Sequence, residues 1–79
     1  MEAALHAAGR PPLVAITLDG RAHEAPAGST LAALVASLGR APHDVATAVN
    51  GTFVARAERA ARALQPGDAV LLFQPIVGG

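Results

Sequence analysis

Near its C-terminal end the sequence runs Asp68-Ala69-Val70-Leu71-Leu72-Phe73-Gln74, a strand-length segment with apolar residues at odd and even positions alike. Such a strand belongs in the middle of a sheet, with one face under a helix and the other against something else. Pro75 removes a ladder donor, so pairing is expected to stop near Gln74. Beyond it, Gly78 and Gly79 carry no side chain with which to anchor themselves. The expectation is a folded domain over residues 13–74 that ends in a flexible tail over 75–79 with a free carboxylate.

The rest of the chain supplies partners for that strand. Leu13-Val14-Ala15-Ile16-Thr17-Leu18 alternates, with Val14, Ile16 and Leu18 on the expected core face, and Asp19-Gly20 is the signature of a two-residue type I′ hairpin. The returning strand spans 21–25 and ends at Pro26-Ala27-Gly28, after which Ser29 or Thr30 is placed to cap a helix. Leu31, Leu34, Val35 and Leu38 then fall at i, i+3, i+4 and i+7, a stripe that packs on a sheet or, alternatively, on a partner; Gly39 stands where the helix should end. A third strand over 45–49 turns at Asn50-Gly51 into a fourth over 52–55. Residues 56–64 are helix-prone, and Pro66-Gly67-Asp68 makes the turn into the final strand.

Placing the last strand beside the first, parallel to it, buries both under the single helix, which serves as the right-handed crossover. This is an α+β arrangement of the β-grasp type, a mixed sheet of four or five strands packed on one helix. Only one face is then covered. Leu71 and Phe73 fall on the other, where they form a docking surface unless a loop or the N-terminal segment covers them. Residues 1–12 are alanine-rich and close with Gly9-Arg10-Pro11-Pro12, so they read as a loosely ordered extension.

Composition excludes several functions. At 79 residues the core is near the lower limit for independent stability, which leaves little room for an enclosed active site. Six arginines balance six acidic residues, and with no tryptophan or tyrosine there is neither a field nor a stacking surface for nucleic acid. The same neutrality gives no attraction to anionic membrane, and no run approaches the length of a membrane helix. The absence of cysteine removes thiol chemistry and disulfides. Lysine is absent as well, so no side-chain amine can carry lipoyl, biotin or a conjugated modifier. The first residues lack the apolar stretch of a signal peptide, and a cytoplasmic location is expected.

Candidate catalytic and metal-binding residues are few. His6, His23 and His43 show no ligand spacing, Ser29 is accounted for by capping, and Ser37 has no base pattern near it. Arg56, Arg59 and Arg62 recur every third residue, either as a solvated face or as a patch for an acidic partner. No phosphate loop, paired carboxylates or catalytic dyad is visible, so the chain reads as a substrate for enzymes and not as an enzyme.

The terminal diglycine has two readings. By chance a chain ends in two glycines roughly once in 200 times. Chemically, glycine suits a carboxylate that a partner must thread into a narrow site, because no Cβ blocks approach to the backbone. That carboxylate is ionised near neutral pH and is a poor electrophile, so something has to activate it. Ordering six residues from Gln74 costs roughly 6 to 12 kcal/mol of backbone entropy, which contacts elsewhere must offset. The open face with Leu71 and Phe73 is the place for those contacts.

From Leu13 to Gly79 the chain resembles the sulfur-carrier proteins of thiamine biosynthesis, which have the ubiquitin-like β-grasp fold. The resemblance rests on Leu18-Asp19-Gly20, Ala27-Gly28-Ser29-Thr30-Leu31, Val49-Asn50-Gly51-Thr52-Phe53-Val54, Leu64-Gln65-Pro66-Gly67-Asp68 and Gly78-Gly79. It implies that an ATP-dependent adenylating enzyme related to ubiquitin activators (E1-like) acts on the carboxylate of Gly79, with Gly78, Val77 and Ile76 threading into its site. A cysteine desulfurase system then supplies the sulfur of a thiocarboxylate, which thiazole synthase consumes. No cofactor is expected on the chain itself, since ATP serves the partner. Residues 1–12 extend beyond the family's usual start, and Arg59-Ala60-Ala61-Arg62 stands where many relatives have an aromatic residue. Three alternatives stay open: the small subunit of molybdopterin synthase, a β-grasp regulatory or RNA-binding module of a larger protein, and a protein-conjugating modifier. The tail Gln74-Pro75-Ile76-Val77 favours the thiamine branch over the first, and an end at Gly79 is not expected of the second.

Overall fold

A computed structural model describes residues 12–74 of the chain. Five strands, β1 (Leu13–Leu18), β2 (Arg21–Pro26), β3 (Ala46–Val49), β4 (Thr52–Val54) and β5 (Ala69–Phe73), form one sheet in the order β2-β1-β5-β3-β4. The single α-helix, α1 (Leu31–Ser37), follows β2, and two 3-10 helices occupy Pro42–Asp44 and Arg56–Ala61. The last strand is therefore central, parallel to β1 and antiparallel to β3, and the mixed β-grasp sheet expected from the sequence is the fold.

Local chemistry accounts for most of these boundaries. Asp19 and Gly20 have φ of 53° and 83°, and Asn50 and Gly51 have 53° and 82°. Positive φ at both central positions is what a type I′ turn requires, and Asn, Asp and Gly adopt it at least strain. Those turns set the registers Leu18↔Arg21 and Val49↔Thr52. Helix α1 starts at Thr30, whose hydroxyl accepts from the Ala33 N–H at 3.1 Å. Ser29 does not cap: its hydroxyl donates to the Pro26 carbonyl.

Other expected boundaries move by a residue or more. Pro26 belongs to β2, where an edge position spares it a ladder donor, and Pro12 accepts from Ala27, so it joins the hairpin and not the extension. β3 begins at Ala46, β4 ends at Val54, and the helix-prone stretch forms a 3-10 helix that stops at Ala61. The remainder of the expected N-terminal extension, and the expected tail over 75–79, lie outside the described residues.

The core lies between α1 and one face of the sheet. Ile16, Ala25, Leu31, Leu34, Val49, Val54, Leu64 and Val70 form it, with Val14, Leu18, Leu38 and Leu72 packed at its margin. Leu31 and Val70 are fully buried, so the first turn of the helix sits over the strand that the sequence marks as central. Among the described residues no helix is long and apolar enough to cross a membrane.

Candidate functional site

Alternation along a strand sends every second side chain to the face opposite α1. On β5 these are Leu71 and Phe73, which are 45% and 47% exposed. Directly paired residues share a face, so the register Leu71↔Ala48, Phe73↔Ala46 and Ala48↔Phe53 places all five on the open side. Phe53 is 63% exposed. Ala48, flanked by Leu71 and Phe53, is nevertheless buried, and two small residues on β3 thus let large apolar neighbours spread across the surface. Leu71 and Phe73, expected to face away from the helix, do so, and Phe53 lies on the same face. Thr52-Phe53-Val54 after a two-residue turn carries the signal: once Val54 faces the core, Phe53 must face outward.

Two polar networks brace this surface. At the exit of β4 the 3-10 helix directs Arg59 inward, where the guanidinium is buried. Its Nε donates to Thr47 Oγ1 at 3.0 Å, Nη1 to the Pro42 carbonyl at 2.8 Å and Nη2 to the Val45 carbonyl at 2.6 Å. Thr47 in turn donates to the Val54 carbonyl at 2.8 Å. Burial, followed by the nearby charge of Arg56, pulls the Arg59 guanidinium below its ordinary value. The evenly spaced arginines are therefore not one solvated face: Arg56 is exposed, Arg59 is a buried tie, and Arg62 is half-buried.

At the entrance to β5, the buried Asp68 accepts from the Gln65 N–H at 2.8 Å and from Asn50 Nδ2 at 2.9 Å, and Arg62 Nη2 lies 3.3 Å away. Asn50 Oδ1 accepts from the Ala69 N–H at 2.9 Å, so the second hairpin turn grips the start of the last strand. Burial by itself raises the Asp68 carboxyl. The Gln65 N–H, the Asn50 amide and the Arg62 charge together outweigh it and hold the group below the usual carboxylate range. Further along, the Leu72 N–H donates to Asp19 Oδ1 at 2.9 Å. β1 ends one residue earlier, and the carboxylate of its turn supplies the acceptor the strand no longer provides.

The open face leads to Gln74, the last described residue, beside an open cavity of about 540 Å³. Ile76, Val77, Gly78 and Gly79 lie outside the described residues. His23 and His43 stand on different elements, and among the described residues no group of three or more His, Cys, Asp or Glu is placed to hold a metal ion.

A family model described as the ThiS family matches residues 13–79. A solved structure of the thiamine biosynthesis protein ThiS from Geobacter metallireducens superposes with a TM-score of 0.73 at 23% identity, over 84% of this chain and 100% of that one. No curated protein sequence matches the chain.

Proposed function

Since this chain belongs to the ThiS family, we propose that it is a sulfur carrier for thiazole formation in thiamine biosynthesis, a protein substrate and not a catalyst. Its reactive group is the carboxylate of Gly79. An ATP-dependent adenylating enzyme converts it to an acyl adenylate, releasing pyrophosphate. The mixed anhydride makes the carbonyl carbon electrophilic, and the terminal sulfur of a persulfide delivered by a cysteine desulfurase system displaces AMP. A thiol then cleaves the resulting acyl disulfide reductively to leave a thiocarboxylate, the thiol being oxidised to a disulfide. Thiazole synthase takes that sulfur, and the carboxylate is ready to be activated again.

The observation that carries this reading is the family match running through the diglycine, joined to an apolar face that stops where the tail begins. Threading the tail costs entropy that glycine contacts cannot offset. Leu71, Phe73 and Phe53 supply the apolar area that can, so docking on the open face and insertion of Ile76, Val77, Gly78 and Gly79 act as one event.

Intact mass spectrometry after incubation with ATP, the adenylating enzyme and a sulfur donor tests the proposal. The expected result is a gain equal to sulfur minus oxygen, located on Gly79, and lost when one further residue is appended after Gly79. An unchanged mass, or an extended chain that still supports thiazole formation, overturns it.

A further inference from the structure

The cavity at the end of the open face has a composition that the apolar patch alone does not explain. Phe53, Phe73 and Ala46 provide apolar walls, while Arg56, Arg59 and Gln74 line the same space. Among the described residues no carboxylate lines it. Among the described residues the arginine–carboxylate ion pair is Arg62 with Asp68, so neither Arg56 nor Arg59 has an acidic partner there. Asp44 lies 3.6 Å from His43, and Glu58 lines a separate hollow with Arg62. Arg59 donates to Pro42, Val45 and Thr47, none of them charged, and among the described residues it has no acidic partner. Repulsion between Arg56 and Arg59 is already felt by the buried member of the pair.

We infer that this cavity docks a partner segment presenting a carboxylate next to a large apolar side chain, the carboxylate meeting Arg56 and the apolar group lying between Phe53 and Phe73. The inference builds on the reading of the open face as the partner surface and adds the charge of what lands there. An anion neutralises the two guanidinium groups without disturbing the ties of Arg59, and the apolar group covers rings otherwise left in water. A basic or purely aliphatic segment does one of these at most.

The test uses phenylbutyrate and phenylbutylamine, two probes with the same apolar part and opposite charge, titrated into the isotope-labelled chain and followed by NMR. Phenylbutyrate is expected to shift the backbone signals of Ala46, Phe53, Phe73 and Gln74, with phenylbutylamine leaving them in place and the preference shrinking as salt rises. Arg56→Gln should lower phenylbutyrate affinity about two- to fivefold, as fits an exposed ion pair. Equal shifts from both probes, shifts from neither, or an unchanged affinity in Arg56→Gln would overturn the inference. With the adenylating enzyme, Arg56→Glu is expected to raise KM for the carrier while thiocarboxylate still forms at saturating concentration. A wild-type chain that prefers phenylbutyrate but is never thiocarboxylated defeats the carrier reading and leaves the cavity assignment standing.

Discussion

The two faces of the sheet are made by the same strands, yet their apolar residues do different things. Under α1, Ile16, Val49, Val54 and Val70 meet Leu31, Leu34 and Leu64, and almost nothing of them is left to solvent. On the other side Phe53, Leu71 and Phe73 lie beside alanines and remain 45% to 63% exposed. Aliphatic residues of middling size fill the covered face, where close packing rewards shape. The larger rings are on the open face, where the fold itself leaves them partly in water. A hydrophobic count over the sequence would rank these residues alike, but burial separates those that hold the domain together from those left at its surface.

If the two faces are separable in this way, substitutions on them should divide between stability and association. The largest effect belongs to Leu31→Ala, which opens a cavity where the helix meets β5 and is expected to cost about 2 to 5 kcal/mol in denaturant unfolding. A domain of this size has little to spare. Phe73→Ala should cost little in the same unfolding experiment, but should weaken binding to the adenylating enzyme by about 1.5 to 3 kcal/mol, the contribution of one well-buried apolar side chain. Binding kinetics that do not change in Phe73→Ala would erase the contrast between the faces.

The smallest of the three effects sharpens the comparison by testing the bracing beneath it. Because the Asp68 carboxyl titrates below its usual value, its contribution is fully present above the unfolded pKa of about 3.9 and is lost as pH falls through the folded value. Asp68→Asn removes charge-assisted hydrogen bonds from a buried site and should cost about 1 to 3 kcal/mol near neutral pH. In acid the variant and the wild type should converge. A variant whose stability falls with pH as steeply as that of the wild type would show that other carboxylates carry the acid dependence.

Much of this architecture was legible before any coordinates. Asp19-Gly20 and Asn50-Gly51 set two hairpins because positive φ is a property of the residues themselves. The helix could be read from its own stripe, and the central place of β5 from its apolar character on both faces. What the sequence left ambiguous was local in another sense: Ser29 and Thr30 are both competent caps, and only the path of the chain after Pro26 decides that Ser29 turns back to it. Arg59 was the larger surprise. Its spacing with Arg56 and Arg62 looks like a surface rhythm, but acceptors on Thr47, Pro42 and Val45, all distant in sequence, turn Arg59 inward.

The residues by themselves determined the turns, the order of elements and the apolar last strand. Each of these follows from side-chain type or from neighbours within a few positions. Only the tertiary structure decided that Phe53 would lie with Leu71 and Phe73, that Arg59 would be buried against Thr47, and that Asp19 would hold Leu72 from 53 positions away. Those pairings depend on how distant segments come together, and no local preference of the chain encodes which donor will find which acceptor until the sheet has closed.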